Sequence, residues 1–338
     1  MKPREYGGCL PLELRKLNSD YFPGFDYVAL NSGRSAIAYA AVAGGFKKVY
    51  IPYYTCKTVE AGLMDVTLPL SESADDEASS KLEICYYNID SSFMPIEPEG
   101  GFDDRALFVY TNYFGIMTHV QQTDIISEHS HVLFDNTQGF YTKPIRGTYS
   151  AYSCRKFFGV PDGAFLVADN LPKLSYPTGK SADKADFLLK SIEEGPNAVY
   201  DISKENEEHI NGEGLCYMSK LTKAIMDSID LGSVEAKRVE NFNRLHQLLG
   251  KYNELDIKLE NGAPMVYPLL VDVDGVREHL VENKIFVPRW WRWIEESKDT
   301  NEFEKHLSKH LVPIPITQIY DLQDMDFIAD VVIEKLNK

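Results

Sequence analysis

Apolar residues along this chain fall into two rhythms. Short runs rich in Val, Ile, Leu, Tyr and Phe, bounded by turn residues, predict strands at 48–51, 82–89, 106–112, 131–134, 148–152 and 164–168. Helical stretches are predicted at 35–43, 55–64, 123–129, 182–194 and 218–229. Strand and helix in alternation favour a mostly parallel sheet with covering helices. A long amphipathic helix follows over 234–252, with Val239, Phe242, Leu245, Leu249 and Tyr252 on one face. Beyond it the pattern changes to a strand (265–271), a helix (275–283), an aromatic-rich turn (288–293), a proline-bounded strand (311–316) and a last helix (325–336). The expected organisation is a large α/β domain over 1–233 and a smaller α+β domain over 234–338. Two biased segments, 71–80 and 94–104, read as surface loops, and no repeat of about 20 to 50 residues is present.

Composition narrows the function classes. The chain has 338 residues, 44% hydrophobic and 25% charged, enough to bury a sizeable core. Its 35 Lys and Arg stand against 51 Asp and Glu, a net charge of −16 that argues against nucleic acid or an anionic membrane as partner. An anionic substrate must therefore be held by local Arg or Lys. No run approaches the about 18 apolar residues of a membrane span, and the N-terminal residues lack the apolar core of a signal peptide, so a cytoplasmic protein is expected. Cys9, Cys56, Cys85, Cys154 and Cys216 form no C-x-x-C pair and are odd in number, which suggests reduced thiols and no metal.

Three constellations carry candidate chemistry. Asn31-Ser32-Gly33-Arg34-Ser35-Ala36 precedes an Ala-rich helix, where free N–H groups and a glycine make an anion cradle; an ordinary Ser N-cap is the plain alternative. Asp135 and Gln138, in Phe134-Asp135-Asn136-Thr137-Gln138-Gly139, follow an apolar strand at the end where open α/β sheets bind ligands; a simple turn explains them equally well. Lys156 lies in Ser153-Cys154-Arg155-Lys156-Phe157-Phe158-Gly159, where crowding would lower its pKa, unless its stem merely packs on the phenylalanines. Together the three gain weight. A phosphate cradle, a strand-end Asp and a Lys 21 residues later follow the chain order of a pyridoxal-phosphate site, which needs a phosphate cup, a carboxylate for the pyridinium and a Schiff-base lysine.

At these residues the sequence resembles the DegT/DnrJ/StrS group of sugar aminotransferases, which are fold-type-I, aspartate-aminotransferase-like pyridoxal-phosphate enzymes. LNSGRSAIAYA looks like the group's N-S-G-x-x-A-L helix start, VYIPYYTCKT like its V-x-x-P-x-x-T strand and turn, and DNTQGF like its D-x-x-Q/H element. SCRKFFGVPDGAFLV looks like the lysine segment, and HLVPIPITQIYDLQDMDFIADVV like the group's ending, so the likeness runs from about residue 28 to 336. It implies that Lys156 binds the cofactor aldehyde and shuttles protons, that Asp135 holds the pyridinium proton, and that Gln138 bonds the ring's phenolic oxygen. It also implies phosphate binding by Gly33 and Arg34 backbone groups with Ser32 or Ser35 and Ser153. The implied reaction moves an amino group from an amino-acid donor such as glutamate to a nucleotide-linked keto sugar, in a homodimer. Relatives that carry His in place of the lysine and eliminate water match less well.

The departures bear mainly on substrate. Where the group stacks a large aromatic on the cofactor ring, this chain has Cys56, so Cys56 contacts the ring or Tyr54 takes the role. The phosphate-binding Ser position holds Ala151, flanked by Ser150 and Ser153, and E-G-G is replaced by Asp162-Gly163-Ala164. No N-x-R loop is found; Asn206 or Asn211 is a stand-in. Pro288-Arg289-Trp290-Trp291-Arg292-Trp293 is either a nucleotide-stacking site or an aromatic core patch. Tyr53, Tyr54, Tyr113 and Phe114 are candidates to line the cleft, and Arg34, Arg155, Arg289 and Arg292 are the basic residues to hold anions. The competing readings are a catalytically silent relative that binds the cofactor, a pyridoxal-phosphate enzyme of another reaction type, and a cysteine nucleophile at Cys56 or Cys154.

Overall fold

The computed structural model describes residues 6–10, 12–66 and 81–338. The predicted loop at 71–80 lies outside them. An eight-stranded sheet organises the first half of the chain, in the order β1 (Asp26–Leu30), β8 (Ala164–Ala168), β7 (Tyr149–Ser153), β6 (Val132–Asn136), β5 (Leu107–Thr111), β2 (Lys48–Pro52), β3 (Glu83–Ile89) and β4 (Pro95–Ile96). The central neighbours, from β3 across β2, β5 and β6 to β7, pair in parallel, while β8, β1 and β4 join antiparallel. Every residue of β5, β6 and β8 is buried, which explains why these strands read as continuous apolar runs. Helices α1 (Gly33–Ala43), α2 (Lys57–Met64) and α3 (His119–Glu128) follow their strands as connectors.

The later chain forms α4 (Asp186–Glu194), α5 (Tyr200–Gly212), α6 (Lys220–Asp227) and the 19-residue α7 (Leu231–Leu249). A second, two-stranded antiparallel sheet pairs β9 (Val266–Leu270) with β10 (Leu311–Pro315), accompanied by α8 (Val276–Glu282), α9 (Trp293–Glu296), α10 (Glu302–His310) and α11 (Leu322–Leu336). Helix α7 starts at Leu231 because Asp230 caps it, its carboxylate accepting Ser233 N–H at 3.0 Å. One apolar cluster runs from Tyr50, Phe108 and Phe134 of the large sheet to Leu245, Leu269, Ile314 and Val332 of the C-terminal unit. Glu304, fully buried, fastens the two: it accepts from Asn88 Nδ2 and Ile89 N on β3 while capping its own helix at Asn301.

Four elements differ from expectation. Strand β1 is an antiparallel partner of β8 and only its last residue is fully buried. Helix α5 buries only Asn206 and Ile210, and α10 has only Phe303 and Leu307 as large apolar residues, too few to read as a helical stripe in the sequence. The predicted helix over 182–194 is broken, with a single 3-10 turn at Ala182–Lys184 before α4. The tryptophan segment is an aromatic core patch: Trp290 stacks on Phe114 at 5.7 Å and Trp291 meets Tyr54 edge-on at 4.6 Å.

Candidate active site

Parallel strands β5, β6 and β7 end together, and their C-terminal residues with the N-terminus of α1 enclose a cavity of about 220 Å³. Thr111 ends β5 and is paired in register with Asp135 on β6, which in turn faces Ala151 on β7. This is the crevice where open α/β sheets bind ligands, because the strand ends leave backbone groups and side chains uncovered.

Asp135 is buried, and its Oδ1 accepts Thr137 N–H at 3.0 Å. Its other oxygen takes no hydrogen bond from the described residues. Gln138 is also buried, with Oε1 accepting Phe114 N–H at 2.9 Å. Lys156 follows β7 in a turn closed by Phe157 and Phe158 N–H groups on the Cys154 carbonyl, and its Nζ donates to Thr137 Oγ1 at 3.1 Å. Burial pushes the Lys156 ammonium below its ordinary pKa; Arg155 adds repulsion, while Asp135 and Cys56 oppose the shift.

Ser32 is the N-cap of α1, its hydroxyl accepting Ser35 N–H at 3.3 Å and lying 2.8 Å from Ser35 Oγ. Gly33 is required by close approach: a Cβ there would lie 2.6 Å from Thr137 Cγ2. A turn hydrogen bond from Gly163 N to Asn31 O, 2.7 Å, ties the α1 cradle to the lysine turn. Arg34 donates to Asn211 Oδ1 and the Ile210 carbonyl, and Arg155 pairs with Glu207. Burial lowers both guanidinium pKa values, that of Arg155 to about 10, with Arg34 adding to the effect.

Ser32, Gly33, Arg34, Cys56, Asp135, Gln138, Ser153 and Lys156 all line this one cavity. Tyr54 does not: it is fully buried beneath, its carbonyl accepting Tyr113 OH. Tyr53, Tyr113 and Phe114 also lie outside the cavity lining, because Tyr53 stacks on Tyr86 and the other two enter the core. Asn206 is turned away to Pro161 O, whereas Asn211 reaches the cavity. Arg289 is paired with Glu295 in a separate cleft, and Arg292 does not line the cavity either. Cys154 is buried with its thiol pKa pushed well up, which removes it as a nucleophile. Among the described residues no cluster of His, Cys, Asp and Glu is arranged to hold a metal.

The residues that sequence reasoning missed are Thr55, Thr58, Thr111, Thr137 and Glu207. Thr137 stood inside the Asp135 motif, and Thr111 closes a predicted strand adjacent to it, so strand-end position was the available signal. Glu207 had none, since α5 carries no apolar pattern.

No protein-family model and no curated protein matches the chain. Solved structures do match. They include DesV from S. venezuelae, in complex with a ketimine intermediate (TM-score 0.61, 15% identity, 93% of this chain and 85% of that one). A DegT DnrJ EryC1 StrS aminotransferase from Brucella abortus matches with TM-score 0.58 and 13% identity, over 92% and 86% of the chains. The E. coli GDP-4-keto-6-deoxy-D-mannose-3-dehydratase with bound hydrated PLP matches with TM-score 0.57 and 14% identity, over 92% and 88%. At such identities the likeness establishes architecture: the fold of this chain is that of the DegT/DnrJ/EryC1/StrS sugar aminotransferases and related sugar dehydratases.

Proposed function

We propose that the protein is a pyridoxal-phosphate-dependent aminotransferase that moves an amino group from an amino acid such as glutamate to a nucleotide-linked keto sugar. The observation that carries this reading is the convergence of Lys156, Asp135 and the α1 N-terminus on one cavity. The residues present fit the cofactor: Thr111 Oγ1 is buried at the cavity without a partner among the described residues, Asp135 keeps an oxygen free of them, and the Arg34 and Arg155 guanidiniums line the same cavity.

When bound, pyridoxal phosphate supplies an aldehyde that condenses with amines and a ring that accepts electron density from the reacting carbon. Lys156, held below its ordinary pKa, gives up its ammonium proton more readily than a free lysine and can take a proton at Nζ and return it. Thr137 Oγ1 accepts from Nζ and orients it. Asp135 would hold the proton on the ring nitrogen, since its carboxylate is buried and faces the lysine across the cavity. Gln138 would donate to the phenolic oxygen through Nε2. Ser32, Ser153 and the N–H groups of Gly33 and Arg34 would bind phosphate at the positive end of α1. Cys56 would face the ring. The presence of Lys156 in the cavity favours amino transfer over water elimination.

A homodimer belongs to this reading. Helix α4 buries no residue and leaves Leu189 and Ile192 exposed, an apolar face suited to a second copy. Cys56 in a position without a stacking aromatic favours, as a second reading, a relative that binds the cofactor without turnover. Purified protein with added pyridoxal phosphate tests the first step: a visible band lost in Lys156→Ala supports the site, and its absence in wild type overturns it. Spectral conversion on adding glutamate separates an aminotransferase from a silent binder.

A further inference from the structure

Two guanidiniums, Arg34 and Arg155, line the cavity beside Lys156, and helix α5 sets a side chain on each of them. Glu207 pairs with Arg155, and one turn later Asn211 accepts from Arg34. The Arg155 side chain is 17% exposed and that of Glu207 53%, so the cation sits inside the rim and the carboxylate reaches in from outside. Arg34 and Arg155 repel each other across the cavity, which leaves a standing demand for negative charge between them. Glu207 meets it with a single charge. A phosphate monoester carries about −1.5 to −2 at pH 7, enough by itself to match the two guanidiniums, so Glu207 is then a surplus negative charge beside it. Loss of Glu207 from the site would leave the phosphate and the two guanidiniums close to charge balance. The helix that carries it is lightly held, with only Asn206 and Ile210 buried, so displacing its outer face costs little.

We propose that Arg34 and Arg155 form the binding site for a phosphate monoester, and that Glu207 is an internal carboxylate competitor displaced when the phosphate enters. Naming the cofactor as the source of that phosphate rests on the function proposed above; the two-arginine site and its competitor do not.

The test is calorimetric titration of the full chain with inorganic phosphate, with pyridoxal phosphate and with pyridoxal, for wild type, Glu207→Gln, Glu207→Ala, Glu208→Gln and Arg155→Met. Both Glu207 variants should bind phosphate and pyridoxal phosphate roughly three- to tenfold more tightly, the scale of one partly exposed ion pair. Pyridoxal, lacking the phosphate, should bind them as it binds wild type. Glu208→Gln makes the same change in net charge beside the site and should give no gain, and Arg155→Met should lose inorganic phosphate binding. Equal gains in Glu207→Gln and Glu208→Gln, no gain in either Glu207 variant, or full phosphate binding by Arg155→Met would overturn the proposal. If inorganic phosphate behaves as expected while pyridoxal phosphate binds no variant, the anion site stands and the cofactor reading fails.

Discussion

Phe114 donates its backbone N–H to Gln138 Oε1 at 2.9 Å, and this one bond sets which end of the Gln138 amide is free to donate. Phe114 adopts φ 60°, a left-handed conformation uncommon for an aromatic residue and held here by its surroundings. Its ring stacks on Trp290, its carbonyl accepts Met265 N–H, and Gly115 follows at φ 86° where a Cβ would meet Gln138 O at 2.4 Å. The C-terminal unit thereby helps to orient a cavity side chain. Gln138→Leu should strand the Phe114 N–H and cost about 1–3 kcal/mol of stability. Gln138→Glu keeps an acceptor for Phe114 but removes the donor, so its thermal stability without cofactor should stay nearer wild type while the added stability from pyridoxal phosphate falls. Melting curves with and without cofactor read both effects.

The lowered Lys156 pKa has a defined signature in pH. The unfolded chain holds this proton up to about pH 10.4, whereas the folded protein releases it earlier. Between the two values the unfolded state binds more protons, so folding is favoured as pH rises. Relative to Lys156→Met, wild-type protein without cofactor should therefore gain stability with rising pH across that window, measured by urea unfolding at stepped pH. A flat difference would mean that Lys156 titrates as a free lysine.

Arg238 on α7 is 1% exposed and has no carboxylate partner among the described residues. It donates to Gln318 Oε1, Met265 O and Phe157 O, lies 4.7 Å over the Phe157 ring, and is pushed down to about 10 by burial. Gln318 Nε2 also donates to Phe157 O, at 3.0 Å, so the C-terminal unit grips the residue next to Lys156 twice. Arg238→Met should leave these acceptors short of donors and cost about 2–4 kcal/mol in denaturant unfolding. Gln318→Leu should cost less, since Arg238 still reaches the same carbonyl.

Thiol chemistry should follow burial. Cys9 is exposed, whereas Cys154 is buried with its pKa well raised, and Cys216 is pushed up to about 11 by burial. Native alkylation at pH 8 followed by peptide mass spectrometry should modify Cys9 first and spare Cys154 and Cys216. Cys56 lines the cavity, so pyridoxal phosphate should slow its labelling.

Much of the site was legible before the fold was known, for reasons of local chemistry. Ser32 and Gly33 announce a helix start that tolerates close backbone approach. Asp135 follows an apolar run, and Lys156 lies three residues beyond the end of β7, so each could be placed at a strand end from periodicity alone. What covers the cavity was not legible. Helix α5 is polar on nearly every face, and a segment that buries two residues leaves no stripe from which its position can be inferred. The same limit applied to Tyr54 and Cys56, two residues apart: both read as candidates for the cofactor ring, and only the packing of Trp291 and Tyr113 on Tyr54 sends one into the core and leaves the other at the cavity.

By itself, then, the sequence determined the central strands of the sheet, the strand-end positions of Asp135 and Lys156, and the need for local cations in a chain of charge −16. Only the tertiary structure decided which cations those are. Arg34 and Arg155 reach the cavity while Arg289 is spent on Glu295, and Glu207 closes on Arg155 from 52 residues along the chain. Periodicity reports which face of an element is buried, but pairing between distant charged side chains leaves no periodic trace. It is set by how helices pack over the sheet, which decides whether a guanidinium lines the cavity or lies elsewhere.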